Sequence, residues 1–142
     1  MNISARNQFH GVITDVKEGA VNGVVSVKLD GGATIKANIT NEAIEELGLA
    51  QSIEAIAVFK ANNVMFASGN TKLAISARNQ FPGKIALVQE GAVNGRVVLE
   101  TAEGMHISGS VTSEAIEELG LAEGVEAIAF VKSTDVMIGL IE

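Results

Sequence analysis

The residues with the clearest chemical potential lie near the start of the chain, in the stretch Ser-Ala-Arg-Asn at positions 4–7. This stretch offers a hydroxyl, a planar guanidinium, a carboxamide and consecutive backbone N–H groups, and it contains no acidic residue. A fully deprotonated oxyanion accepts hydrogen bonds and donates none, so this donor set suits an oxyanion. An ion pair of Arg6 with Glu18 or Glu54, with Asn7 capping a turn, is an equally open interpretation.

The stretch recurs because the chain is an internal repeat. The seven residues from position 3 to position 9 return unchanged from position 75 to position 81, an offset of 72. Segments 18–23, 42–50 and 54–57 return at the same offset, and no gap is needed. We therefore expect two domains, over residues 1–70 and 71–142, joined near the sequence Gly-Asn-Thr-Lys.

The repeat also sorts the basic residues by whether both copies keep them. Two pairs are kept, Arg6 with Arg78 and Lys60 with Lys132. The other positions pair a basic residue with an uncharged or acidic one: Lys17 with Gln89, Lys28 with Glu100, Lys36 with Ser108, Lys84 with Val12, and Arg96 with Val24. We interpret the residues that are not kept as interchangeable surface charges.

Each copy predicts a mostly β domain. Strands are expected over 9–16, 24–29, 34–39, 53–60 and 64–67, with turn-forming sequences at 30–32 and 62–63. One short helix begins at a cap on Thr40 or Asn41 and ends at Gly48. This pattern indicates an all-β fold class with one short helix per repeat, arranged as two OB-like small β-barrels in tandem.

Two further segments have competing interpretations. The segment 19–23 ends in Asn-Gly, the usual signal for a tight hairpin turn, although its amides could also face an anion or a symmetry mate. Thr40 could cap the helix alone or also direct its hydroxyl toward an anion. Capping alone is favoured, because Glu42, Glu45 and Glu46 make that neighbourhood acidic.

Composition argues against several classes of protein. A net charge of −7 opposes binding to a nucleic-acid backbone, and 4% aromatic residues leave no base-stacking platform. We expect no membrane span and no signal peptide, and the absence of Cys is compatible with the cytoplasm. The repeat keeps neither His10 nor His106, and neither has a second His at ligand spacing. Neither catalysis nor a bare metal-cation site is therefore expected.

The small size of the unit predicts self-association. A core of roughly 70 residues usually needs support, and this chain has neither disulfides nor an evident structural metal. Packing between the two copies, oligomerisation of the chain, or both would supply that support.

Taken together, four motifs resemble the molybdate-binding Mop family (molbindins, TOBE-type), present twice between Ile3 and Leu140. The motifs are Ser-Ala-Arg-Asn, Gly-Ala-Val-Asn, Thr-x-Glu before a Leu-Gly-Leu helix end, and a Lys that closes a Glu-Ala-Ile-Ala strand. The resemblance implies OB-like barrels, a homotrimer, and non-enzymatic storage of molybdate or tungstate in the cytoplasm without an organic cofactor. A regulatory module that reports molybdate status to a partner protein is the alternative.

The resemblance also implies two types of oxyanion site. The first would use Ser4, Ala5, Arg6, Asn7, Thr40 and Lys60, and in the second copy Ser76, Ala77, Arg78, Asn79, Thr112, Lys132 and Ser133. The second, near a symmetry axis, would use Ala20, Val21, Asn22, Ala92, Val93 and Asn94. Family members often carry serines where this chain has Ala61, Ala43 and Ala115, so the Lys60 site is expected to be the poorer one.

Overall fold

The computed structural model describes residues 3–141, which form ten strands and two short helices. The first repeat supplies β1 (Asn7–Glu18), β2 (Asn22–Leu29), β3 (Thr34–Thr40), α1 (Asn41–Leu47), β4 (Glu54–Phe59) and β5 (Met65–Ser68). The second supplies β6 (Asn79–Gln89), β7 (Asn94–Thr101), β8 (His106–Thr112), α2 (Ser113–Leu119), β9 (Glu126–Val131) and β10 (Met137–Gly139). The expected all-β class with one short helix per repeat is confirmed.

The strands pair in two antiparallel sheets, and each sheet takes one edge strand from the other repeat. The strand orders are β10-β4-β1-β2-β3 and β5-β9-β6-β7-β8. The chain accordingly divides into two compact units. The first unit holds the residues up to Phe59 and those from Lys132 onward, and the second unit is Lys60–Val131. The expected limits 1–70 and 71–142 follow the sequence duplication, whereas the units exchange the segments after Phe59 and Val131.

The segment predicted to form a tight turn between β4 and β5 is where the chain crosses from one sheet to the other. Asn62 and Asn63 lie in a single 3₁₀ turn, in which the Asn63 N–H donates to the Lys60 carbonyl at 3.0 Å. The strands on either side of this turn lie in different sheets. The turn is therefore a crossover and does not close a hairpin.

The predicted hairpin turn in segment 19–23 is confirmed, and it comes before the Asn-Gly pair. The Gly19 N–H donates to the Asn22 carbonyl at 2.9 Å, and Asn22 and Gly23 already belong to β2. Gly23 is needed for packing, because a Cβ there would lie 2.7 Å from Ile44 Cδ1 and 2.8 Å from the Lys17 carbonyl oxygen. A glycine at this position therefore allows α1 to lie close against the sheet.

Local signals define both ends of the helices. Thr40 Oγ1 accepts a hydrogen bond from the Ala43 N–H at 3.2 Å, and Gly48 ends α1 in the left-handed region at φ 64°. Thr112 and Gly120 cap α2 in the same way. Of the two predicted caps, Thr40 and Asn41, it is Thr40 that caps the helix, and the predicted end at Gly48 is confirmed. Neither helix described within residues 3–141 is long and apolar enough to cross a lipid bilayer.

The exchanged strands match their new neighbours in size. In the second unit, Phe66 of β5 lies over Gly109 of β8, where an added Cβ would clash with the Phe66 ring. The corresponding positions of the first unit hold Ile138 of β10 and Ala37 of β3. All four residues are buried. The large side chain of Phe66 is therefore matched with a glycine, and the smaller side chain of Ile138 is matched with an alanine, as close-packed cores require.

Candidate functional site

The two arginines kept by the repeat are exposed and have no acidic partner in the described part of the chain. Arg6 and Arg78 lie just before β1 and β6. Among residues 3–141, no carboxylate lies within ion-pair distance of either guanidinium. The alternative ion pair of Arg6 with Glu18 or Glu54 is therefore wrong, and Glu54 instead lies 3.4 Å from His10. Both guanidiniums remain available to a ligand.

Strand register brings each kept arginine and the following kept lysine to the same end of a ladder. Asn7 is the Cα partner of Phe59, so Arg6 and Lys60 each lie one residue beyond the last pair of the β1–β4 ladder. The second repeat has the same arrangement at Arg78, Asn79, Val131 and Lys132. The two asparagines are only 1% and 3% exposed, although the flanking cations are exposed. We call each of these groups the ladder-end cation pair.

A glutamine that the sequence reasoning did not single out holds the loop before each arginine. Gln80 Nε2 donates to the carbonyls of Leu73 and Ala77 at 2.8 and 3.1 Å, and its Oε1 accepts from the Leu73 N–H at 2.7 Å. Gln8 Nε2 likewise donates to the Ala5 carbonyl at 2.9 Å. Both glutamines belong to the seven-residue segment that the repeat keeps unchanged, and this was the signal in the sequence that could have identified them.

The same loop of the second unit borders a cavity of about 630 Å³. Its lining consists of Lys72, Leu73, Ala74, Ile75, Ser76, Arg78 and Gln80. This lining includes two cationic side chains and one hydroxyl and no carboxylate, so its charge favours an anion. The cavity is much larger than a tetrahedral oxyanion, so these residues alone would leave a bound anion largely in water.

Thr40 lies at the opposite end of the first unit's sheet. It is the Cα partner of Asn22 at the hairpin end of β2, whereas Arg6 precedes the other end of β1. At about 3.3 Å per residue, the 12 residues of β1 span more than 30 Å, roughly the whole length of the sheet. Thr112 and Asn94 repeat this pairing in the second unit. Within one unit, the threonines therefore join the hairpin residues and not the ladder-end cation pair.

The two hairpin loops of the predicted second site type are exposed, and each is held by a side-chain hydrogen bond to its backbone. Val21 and Val93 are 71% and 70% exposed. The Asn41 carboxamide donates to the Gly19 carbonyl at 2.8 Å, and the Ser113 hydroxyl donates to the Gly91 carbonyl at 3.0 Å. Each loop therefore projects an apolar tip on a braced backbone, next to Ala20 and Asn22 in one unit and Ala92 and Asn94 in the other.

A histidine present only in the first repeat lies between two carboxylates. His10 Nδ1 is 2.6 Å from Asp30 Oδ2, and its Nε2 is 3.4 Å from Glu54 Oε1. The hydrogen bond to Asp30 is the main cause that raises the pKa of His10 above its ordinary value of 6.5, and the negative charges of Asp30 and Glu54 add to it. The imidazolium therefore links β1 to the turn after β2 and to β4.

Replacing Asp30 with Asn is expected to lower the pKa of His10, which proton NMR of the imidazole would measure. A raised folded pKa stabilises the fold fully below the unfolded value, and that stabilisation is lost as pH rises through the folded value. Thermal unfolding should therefore show that the unsubstituted protein loses more stability than Asp30→Asn as the pH rises from the unfolded to the folded pKa of His10. Equal pH dependence of the two proteins would contradict the assignment.

Comparison with known proteins gives a family match and several concordant relatives. The TOBE domain matches residues 3–66 and again residues 75–138. The molybdenum transport protein ModE of Azotobacter vinelandii is 39% identical over 140 residues, which cover 99% of this chain and 52% of that protein. The molybdenum-pterin-binding protein MopA of Rhodobacter capsulatus is 36% identical over 140 residues, 99% of this chain and 53% of that protein. The chain thus spans about half the length of these curated relatives.

A solved structure matches the whole chain. The cytoplasmic molybdate-binding protein ModG, crystallised with molybdate bound, superposes with a TM-score of 0.95 at 40% sequence identity. The match covers 99% of this chain and 100% of that one. This chain therefore shares its fold with a structure that has been determined experimentally.

Proposed function

Because this chain belongs to the TOBE-domain family, with one domain in each repeat, we propose that it binds molybdate or tungstate and stores it in the cytoplasm without catalysing a reaction. The observation that carries the proposal is the ladder-end cation pair: two exposed cations, kept by both repeats, with no carboxylate partner among residues 3–141. The names of ModE, MopA and ModG, which all refer to molybdenum or molybdate, support it.

The proposed binding chemistry uses fixed donors against a dianion. The guanidinium presents a planar fork of N–H groups, the lysine adds a point charge, and the backbone N–H groups of the loop complete the shell. Ser4, Ala5, Asn7 and Lys60 would surround Arg6, and Ser76, Ala77, Asn79, Lys132 and Ser133 would surround Arg78. Thr40 and Thr112 would join from a neighbouring copy of the chain, because they lie at the far end of their own sheets.

The second site type is proposed at the hairpin loops, around Ala20, Val21 and Asn22 and around Ala92, Val93 and Asn94. Their exposure of an apolar valine on a braced backbone suits a position where copies of the chain meet. Backbone amides from the loops of more than one copy would then face the same anion.

We expect the protein to be a homotrimer in solution. Light scattering should give three times the 14.7 kDa mass of the chain at micromolar concentration. Charged substitutions at both loop tips, Val21→Asp with Val93→Asp, should lower that mass because they bring like charges together. A monomer mass for the native protein, with and without molybdate, would rule out the expected assembly.

The function is tested by comparing four oxyanions in titration calorimetry at fixed salt and near neutral pH. Molybdate and tungstate are expected to bind about equally, because they share charge and nearly share size. Phosphate near neutral pH carries a proton that needs an acceptor, and leaving it unsatisfied costs about 1–3 kcal/mol. A shell of donors without a carboxylate should therefore bind phosphate about tenfold or more weakly. Phosphate binding as tightly as molybdate would contradict the proposed shell, and sulfate reports whether size also contributes.

A further inference from the structure

One cation that the repeat does not keep has an unusual environment in the second unit. Arg96 lies on β7 and is half-buried. Its Nε is buried and has no hydrogen-bond partner among the described residues, and its Nη2 lies 3.4 Å from Ser108 Oγ. No carboxylate within residues 3–141 forms an ion pair with it. The guanidinium is therefore only weakly satisfied by the protein itself.

The cross-strand neighbours of Arg96 are polar and uncharged, whereas Val98, the next residue of β7 on the same face, is apolar and buried. Val97 and Leu99 point into the core, so Arg96 lies on the opposite face by strand alternation. Its Cα partners are Gln89 on β6 and Ser110 on β8. A carboxamide and a hydroxyl thus lie on the two strands beside Arg96, and groups of this kind can share a ligand with a guanidinium because they also donate hydrogen bonds.

A half-buried guanidinium with no counter-charge in the described part of the chain needs an explanation. A buried donor left unpaired costs about 1–3 kcal/mol, and buried polar groups in native proteins are nearly always satisfied. The chain carries a net charge of −7, so carboxylates are abundant, yet none within residues 3–141 forms an ion pair with Arg96. A small anion from solution would satisfy the free Nε and supply the missing charge.

Strand register shows that both repeats keep a cation at this place, on different strands. The counterparts of Arg96 and Ser108 in the first repeat are Val24 and Lys36. Val24 is the Cα partner of Asn38, and Lys36 is two residues away on the same strand and face, so the two positions are diagonal neighbours. The cation is therefore on the second strand of one repeat and on the third strand of the other, but on the same face of the sheet in both. Comparing aligned positions alone had classed both residues as interchangeable surface charges.

We infer that Arg96, with Ser108, forms a further binding site for a tetrahedral oxyanion on this face of the second unit. The Nε and Nη2 atoms of one guanidinium make a fork that matches two oxygens of such an anion. Gln89, beside Arg96, and Asn79, beside Arg78, are opposite ends of β6, so this site is separate from the ladder-end cation pair. The inference rests on the proposed function for the choice of molybdate as probe.

The test is equilibrium dialysis against molybdate, with bound molybdenum measured by mass spectrometry. Arg96→Val is matched by Lys84→Val, because each variant loses one positive charge in the second unit and gains the residue of the first repeat. Arg96→Val should bind one molybdate fewer per chain at saturation, whereas Lys84→Val should bind as the native chain does. Arg96→Lys should weaken that site about tenfold, since an ammonium lacks the fork.

The outcomes separate this inference from the proposed function. If Arg96→Val binds as many anions as the native chain while Arg78→Ala binds fewer, the proposed function stands and this inference is wrong. If the native chain retains no molybdate, both are wrong. A lower mass of Arg96→Val in light scattering would show that a carboxylate of a second copy is the missing partner, and this would overturn the anion site. Circular dichroism checks each fold, and Arg96→Lys gives the decision if Arg96→Val does not fold.

Discussion

Replacing Arg78 with Ala is expected to weaken molybdate binding at the affected site by about 2–5 kcal/mol, the usual range for removing one side of a desolvated charge pair. Arg78 lines the cavity beside Ser76 and has no carboxylate partner among residues 3–141, so its charge can interact with a bound anion. Arg6→Ala should weaken the first-repeat site in the same way. Titration calorimetry at fixed salt measures both losses.

Lys28→Ala is the matched control for these arginines. Lys28 is exposed on β2, and the second repeat has Glu100 at the equivalent position. Removing Lys28 therefore changes the net charge without affecting the ladder-end cation pair. Its affinity should stay within a few tenths of a kcal/mol of native, as expected for a screened surface charge. Arg78→Lys should recover only part of the loss, because a point charge does not reproduce the planar fork. Equal losses in Lys28→Ala and Arg78→Ala would show that binding depends on overall charge and not on this site.

Replacing Gly109 with Ala is expected to destabilise the protein by about 1–3 kcal/mol, the typical cost of overpacking a core. The added Cβ would clash with the ring of Phe66 and lie 3.3 Å from Val64 Cγ1. Both neighbours belong to the segment that the first repeat contributes to the second unit. The change therefore strains the contact between the exchanged strand and its new sheet, and denaturant unfolding measures its cost.

The first repeat supplies the rescue for this variant. Its corresponding residues are Ala37 and Ile138, so Gly109→Ala combined with Phe66→Ile copies an arrangement that the chain already contains. Each single variant should be less stable than native, and the double variant should recover part of the combined loss. A double-mutant cycle isolates this coupling between Phe66 and Gly109. Strict additivity of the two changes would show that the ring and the glycine do not interact.

Much of the fold could be predicted because it depends on local signals. The caps at Thr40 and Gly48 and the helix between them follow from residue types within one turn. The strands follow from β-branched runs between turn residues, and the family resemblance drawn from the motif order is confirmed by the TOBE match. The hairpin turn in segment 19–23 was also predicted, but it precedes Asn22-Gly23, where packing against Ile44 is what requires the glycine.

The exchange of β5 and β10 could not be predicted from local sequence. Both strands have the same pattern and would satisfy the edge of either sheet, because backbone hydrogen bonds do not distinguish one β4-like partner from another. The one trace in the sequence is the complementary size of Phe66 with Gly109 and of Ile138 with Ala37. That trace becomes readable only after the register of the sheets is known.

The ladder-end residues were found from sequence because the duplication kept their type and position. Arg96 was missed for the opposite reason: the repeat moves its counterpart to another strand, and neighbours across strands are set by register. The exposure of Arg6 and the absence of an ion pair between it and any carboxylate of residues 3–141 also had to come from the structure, since spacing alone left the pairing with Glu18 or Glu54 open.

The crossovers at Lys60 and Lys132 make the second unit a circular permutation of the first, with its edge strand at the beginning instead of the end. During synthesis the ribosome completes Val131 before β10, which the first unit needs to cover the edge of β4. Domains generally fold in the order in which they emerge, but here the continuous second unit has all its strands first. We therefore expect the first unit to finish folding last, with the edge of β4 unpaired until Met137–Gly139 has left the ribosome.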